Sequence, residues 1–180
     1  MGDGTYLFVA LKRQRADGPV LAVDLGYSAA AKSCGVAWSG GGEPQNVQFG
    51  DAISLVSQLL QREPPPVLVL EAVLSTLHSP EGNPSIRGAF EKGRGWYWGP
   101  GAVSALAARR FLEELGCRLE RPVLLGEAFL SNKSGPTRHC DDANKIVHDC
   151  WLAEPVPLIP GVEPLLPIIN GVPSVRVFTV

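Results

Sequence analysis

The sequence predicts an α/β fold, a mixed five-stranded sheet flanked by helices. Three observations carry that reading. Apolar runs of strand length recur at residues 20–24, 67–71 and 123–127. Stretches with helical apolar periodicity separate or follow them. Gly and Pro, 20 and 16 of the 180 residues, gather in the connections and so mark where elements end.

The elements follow in order. Residues 5–11 alternate weakly, as in a short edge strand, and the polar stretch 12–18 reads as a loop. Residues 20–24 are apolar up to Asp24, the pattern of a strand buried on both faces. Gly26 supplies turning freedom behind it. Residues 35–38 and 46–49 read as two more strands around a Ser39-Gly40-Gly41-Gly42 turn, close enough to the first to form an antiparallel meander. Asp51 is placed to cap a helix over 52–61 with the stripe Ile53, Leu55, Val56, Leu59 and Leu60. Pro64-Pro65-Pro66 stops that helix. Residues 67–71 are reached by a helical crossover and so run parallel to 20–24.

Residues 72–98 form a long loop rich in Gly, Ser, Pro and aromatic residues, a length that usually signals function or mobility. Pro100 suits the first turn of the next helix. That helix is expected to bury Val103, Leu106, Ala107, Phe111 and Leu115, and Gly116 ends it. Residues 123–127 are the last central strand. A loop over 131–138 leads into a helix over 141–151, with Ala143, Ile146, Val147, Cys150 and Trp151 as its apolar face. The Pro-rich stretch from Leu152 reads as an extended arm, and 175–180 as a final edge strand. The expected organisation is a domain over 1–151 with 152–180 packed on it.

Composition bounds the function. Hydrophobic residues make up 45% and charged residues 19%, an ordinary globular balance rather than a disordered one. A net charge of −2 gives no global basic field, so contact with nucleic acid must come from a local patch. Cys34, Cys117, Cys140 and Cys150 have no CxxC spacing. A secretory pattern and a membrane-length apolar run are both lacking. The expectation is a cytoplasmic protein with free thiols and no membrane partner.

Chemistry concentrates in acids. Asp24, Glu71 and Glu127 end the three apolar runs, and Asp142 opens the last helix. A carboxylate taken out of water costs several kcal/mol unless something pairs with it, and a divalent cation suits several acids converging on one place. At about 100° per residue, Asp142 lies near the edge of the helix's apolar face and Asp141 points nearly away. Plainer roles fit the same residues. Asp-x-Gly is common after strands, Glu127 fits a surface pair with Lys133 or Arg138, and Asp141 suits a helix N-terminus. His139 fits either a capping histidine or an acid–base group. Zinc at His139, Cys140, His148 and Cys150 is disfavoured, because helical spacing scatters them.

The long loop interleaves Arg87, Lys92 and Arg94 with Trp96 and its aromatic neighbours. Such residues grip phosphates and stack on unpaired bases, and they equally form an aromatic lid. Lys133, Arg138 and Lys145 come from the second loop and its helix, at the same expected end of the sheet. Their convergence favours an anionic ligand beside the acids.

The segment from Val23-Asp24-Leu25-Gly26 to Gly35-Val36-Ala37 resembles the Asp-x-Gly…Gly-Val opening of RuvC-like resolvases. His139-Cys140-Asp141-Asp142-Ala143 resembles their His-x-x-Asp-Ala helix start. With Leu70-Glu71-Ala72 and Gly126-Glu127 between them, residues 19–151 resemble the ribonuclease-H-like superfamily in outline. The stretch from Glu71 through the Lys133 and Arg138 loop also resembles a predicted RNase-H-like nuclease family of unknown function.

The resemblance implies that the first central strand lies beside the fourth and the fourth beside the fifth. Asp24, Glu71 and Glu127 would then sit on adjacent strands, with Asp142 closing the site. It implies a nuclease cutting DNA or RNA with two Mg²⁺ or Mn²⁺ ions: Asp24 bridging, Glu71 and Asp142 holding one each, and His139 protonating the leaving group or orienting water. Paired cuts would suit a homodimer, formed through the C-terminal arm. That arm has no counterpart in the family, and the low charge is unlike a junction resolvase. Two other readings stand beside it. One is a non-catalytic ribonuclease-H-like module binding a partner through 158–169. The other is a nucleotide-binding actin/kinase-like domain, whose first phosphate loop Asp24-x-Gly26 also resembles, although that architecture normally needs two such domains.

Overall fold

A computed structural model describes residues 13–15, 18–28, 31–72, 99–120, 123, 125–129, 136–149, 151–153 and 175–179. Its strands are β1 (Arg13–Arg15), β2 (Val20–Leu25), β3 (Cys34–Trp38), β4 (Gln45–Val47), β5 (Val67–Glu71), β6 (Leu125–Phe129), β7 (Trp151–Ala153) and β8 (Val175–Thr179). Its helices are α1 (Phe49–Leu60), α2 (Pro100–Gly116) and α3 (His139–Asp149). All eight strands join one sheet in the order β1-β7-β8-β6-β5-β2-β3-β4.

The five-strand portion β6-β5-β2-β3-β4 has the expected topology. β2, β3 and β4 form the antiparallel meander, and β5 and β6 run parallel to β2 after their helical crossovers. The fold is therefore α/β with a mixed sheet and flanking helices. β2 is buried along its whole length because it lies between β5 and β3 with a helical layer on each face.

Two cores follow from the period-2 alternation of the strands. Leu21, Val23 and Leu25 of β2 and Leu68 and Leu70 of β5 pack with Ala52, Ile53, Val56 and Leu60 of α1 and Ala108, Phe111, Leu112 and Leu115 of α2. The alternate residues Val20, Ala22, Val67 and Val69 pack with Ala143, Ile146 and Val147 of α3. Each helix thus covers one face with residues at three- and four-residue spacing.

Several sequence expectations need correction. α1 begins earlier than expected: Gln48 occupies the cap position without a side-chain bond, and Asp51 lies inside the first turn. Val103 and Leu106 of α2 are 55% and 70% exposed, because the buried stripe runs through Ala107, Ala108, Phe111, Leu112 and Leu115 and leaves them off it. α3 runs His139–Asp149 instead of 141–151, and Trp151 belongs to β7. The polar stretch 12–18 contains the strand β1, which pairs with β7. β8 is not an edge strand, since it pairs with β6 on one side and β7 on the other. The predicted strand at 5–11, most of the long loop over 72–98, Cys150 and the Pro-rich stretch 154–174, with its partner-binding and dimer expectations, lie outside the described residues. Among the described residues, no helix is long and apolar enough to cross a membrane.

Candidate metal centre

Strand register brings the first two acids together. Asp24 stands directly opposite Glu71 in the parallel β2–β5 ladder, at the C-terminal ends of both strands. The alternation that sends Val23 and Leu70 toward α1 and α2 leaves Asp24 and Glu71 on the α3 face. α3 crosses that face and contributes Asp142 from its first turn. One carboxylate oxygen from each of Asp24, Glu71 and Asp142 lies within 4.8 Å of the others. Asp24 is 6% and Asp142 4% exposed, and Glu71 is half-buried.

The approach of α3 depends on Gly35. This residue pairs with Asp24 on one side and Asn46 on the other, in the same cross-strand row as Glu71. A Cβ built on Gly35 would meet the His139 carbonyl and the Cys140 nitrogen well inside 3.0 Å. The start of α3 therefore rests on bare backbone, which only glycine provides. Asn46 fixes it from the side: its Oδ1 accepts the Cys140 N–H at 2.8 Å, satisfying one of the otherwise unpaired donors of the helix start. Gly26 has a related role. A Cβ there would strike the Ser33 carbonyl, so the demand is close approach between the ends of the β2–β3 connection rather than turning freedom.

Two side chains hold the aspartates. His139 Nδ1 lies 2.9 Å from Asp24 Oδ2, joining the first residue of α3 to the end of β2. Thr137, just ahead of α3, places its hydroxyl 2.7 Å from both Asp142 Oδ1 and Oδ2. Asp141 turns outward, as its helical position predicts, and accepts two 2.7 Å bonds from the Arg138 guanidinium. Those bonds hold the Asp141 carboxyl below the usual carboxylate range and raise Arg138 above its ordinary value. Beneath the site, Cys34 donates its S–H to the Gly26 carbonyl at 3.0 Å. Burial, with a smaller push from Asp24, raises its thiol to about 11 despite that bond.

The other predicted residues separate. Glu127 stands opposite Leu70, one register position short of Glu71, and in the middle of β6 rather than at a strand end. Its side chain lies outside the described residues, as do Arg87, Lys92, Arg94, Trp96 and Lys133. Arg138 is exposed and paired with Asp141, and Lys145 is exposed on α3. The sequence gives no site role to Thr137 or Asn46, and it marks Gly35 only as part of the Gly-Val motif, not as the seat of α3. Thr137 is the traceable one, since a hydroxyl residue just before a helix start can turn back onto a first-turn acid.

The donor set suits a hard cation. Three carboxylates with little solvent repel one another, and a divalent ion both relieves that repulsion and takes oxygen ligands. Asp24, Glu71 and Asp142 are the residues that would hold it. Comparison with family models, curated proteins and solved structures finds no match for the chain.

Proposed function

We propose that this protein is a Mg²⁺- or Mn²⁺-dependent phosphodiester hydrolase of ribonuclease-H-like architecture, acting on DNA or RNA. The observation that carries the reading is the placement of Asp24, Glu71 and Asp142. Two acids end adjacent parallel strands and one comes from the covering helix, all within 4.8 Å. Asp24, Glu71 and Asp142 would hold a divalent cation, which when bound would supply water activation and stabilisation of charge on phosphate oxygens.

The chain's own residues do the rest. Asp24 and Glu71 are fixed by the central ladder, so their separation is set by strand register rather than by flexible side chains alone. Asp142 is carried by the first turn of α3 and held by Thr137. His139 presents Nδ1 to Asp24, so a proton exchanged with substrate would be carried at Nε2. The imidazole is partly exposed, at 42% of its side chain.

The test is cleavage of labelled single-stranded, duplex and four-way-junction DNA and of RNA, with Mg²⁺, Mn²⁺ or EDTA, using Asp24→Asn as the control. Metal-dependent cutting that disappears in Asp24→Asn is the expected result. A folded protein that cuts none of these and binds no Mn²⁺ would refute the proposal.

A further inference from the structure

Thr137 is equidistant, at 2.7 Å, from the two carboxylate oxygens of Asp142. Equal separations place its hydroxyl in the plane that bisects the carboxylate between its two oxygens. A cation chelated by both oxygens of one carboxylate must lie in that same plane. The hydroxyl has a single proton to share between the oxygens, and it occupies the chelating position.

Asp24 is restricted in a similar way. Its Oδ2 is engaged by His139 Nδ1 at 2.9 Å, which makes Oδ1 the oxygen more open to a cation. Two of the three acids are therefore arranged to offer one oxygen apiece. Ca²⁺ takes six to eight oxygens, often through two-oxygen carboxylates, whereas Mg²⁺ demands a tight octahedron and is bound through few carboxylates and several waters.

We infer that Thr137 is a specificity-determining residue: by holding Asp142 to one-oxygen ligation, it selects Mg²⁺ and Mn²⁺ against Ca²⁺. The inference rests on the metal-centre reading above. Thr137 here is a positioning residue, acting through Asp142.

The test compares wild type, Thr137→Val and Thr137→Ser. Mn²⁺ binding is followed by loss of the free-ion electron paramagnetic resonance signal, with Mg²⁺ and Ca²⁺ as competitors. Circular dichroism confirms that each variant is folded, and valine is close in shape to threonine at this exposed position. Wild type is expected to prefer Mg²⁺ over Ca²⁺. Thr137→Val should shift that ratio about tenfold toward Ca²⁺, the lower end of what partners of metal ligands contribute. Thr137→Ser, which keeps the hydroxyl, should restore the wild-type ratio.

A valine variant that weakens both ions equally, with the ratio unchanged, overturns the inference while leaving the metal centre standing. A serine variant that behaves like valine overturns it too. Wild type that takes up no Mn²⁺ at all removes the metal centre itself, and the inference with it.

Discussion

Asp24→Asn should stabilise the metal-free protein and abolish its response to metal. One carboxylate oxygen of Asp24 lies within 4.8 Å of one oxygen each of Glu71 and Asp142. With an effective dielectric of about 20, each repulsion at 4.8 Å is worth about 3.5 kcal/mol, or about 7 kcal/mol for the two together. Against this stands the contact with His139 at 2.9 Å, worth about 6 kcal/mol if the imidazole is charged and unscreened. The imidazole is partly exposed, so solvent reduces that attraction further. The balance favours removing the charge by about 1 kcal/mol or more, and Asn Oδ1 can still accept the His139 N–H.

Thermal unfolding by circular dichroism reads both halves. In EDTA the variant should melt at or above wild type, by about 2–4 °C per kcal/mol in a chain of this size. Mn²⁺ at a hundred times its dissociation constant should stabilise wild type by about 2.7 kcal/mol, a rise of about 5–10 °C. The variant should show no such rise. The reasoning fails if Asp24→Asn melts many degrees lower in EDTA while wild type ignores Mn²⁺. Asp24 would then be a structural partner of His139 and not a ligand.

Four further outcomes are expected. Gly35→Ala should cost about 3 kcal/mol in urea unfolding and weaken Mn²⁺ uptake, because its Cβ collides with the backbone at the start of α3 and pushes Asp142 outward. Asn46→Ala should cost about 1 kcal/mol by the same assay, through loss of the bond from the Cys140 N–H. The Cys34 thiol, raised to about 11, should resist iodoacetamide at pH 8 while the exposed Cys117 reacts. The folded state binds the Cys34 proton more tightly than the unfolded chain does. That stabilisation is complete below about pH 9 and is lost as pH rises toward 11, so the stability gap between wild type and Cys34→Ala should change over that window.

The central topology was legible because it rests on strong local signals. The runs ending at Asp24 and Glu71 are continuously apolar, and a helix between them leaves a parallel pairing as the simple solution. Asp142 was legible from its angle on an amphipathic helix. Element ends and register were not. The apolar run places the strand near Glu127 at 123–127, two residues before its true position, since that stretch is as apolar as Leu125–Phe129 and only pairing with β5 and β8 decides between them. A shift of this kind changes which residue stands beside Glu71, and with it the face presented. β1 and β7 are three-residue strands whose identity comes from their partners, so local propensity could not reveal them. Val103 and Leu106 misled because apolar side chains at helical spacing do not say which flank of the stripe meets the sheet.

The start of α3 shows how three acids can share one place in the fold. Three buried or half-buried acids would by themselves oppose folding. The positive end of the helix dipole lies where they converge, with Asp142 in its first turn. His139 supplies a ring nitrogen to Asp24 and Thr137 a hydroxyl to Asp142. These contacts offset part of the repulsion among the acids and fix the direction of the Asp24 and Asp142 carboxylates. Gly35 makes the arrangement possible, because any side chain there would lift the helix start away from Asp24. The site is therefore built less by the acids than by the glycine that lets the helix descend onto the sheet. A Gly35→Ala protein that kept full Mn²⁺ affinity would show that Asp142 reaches the strand acids without that descent.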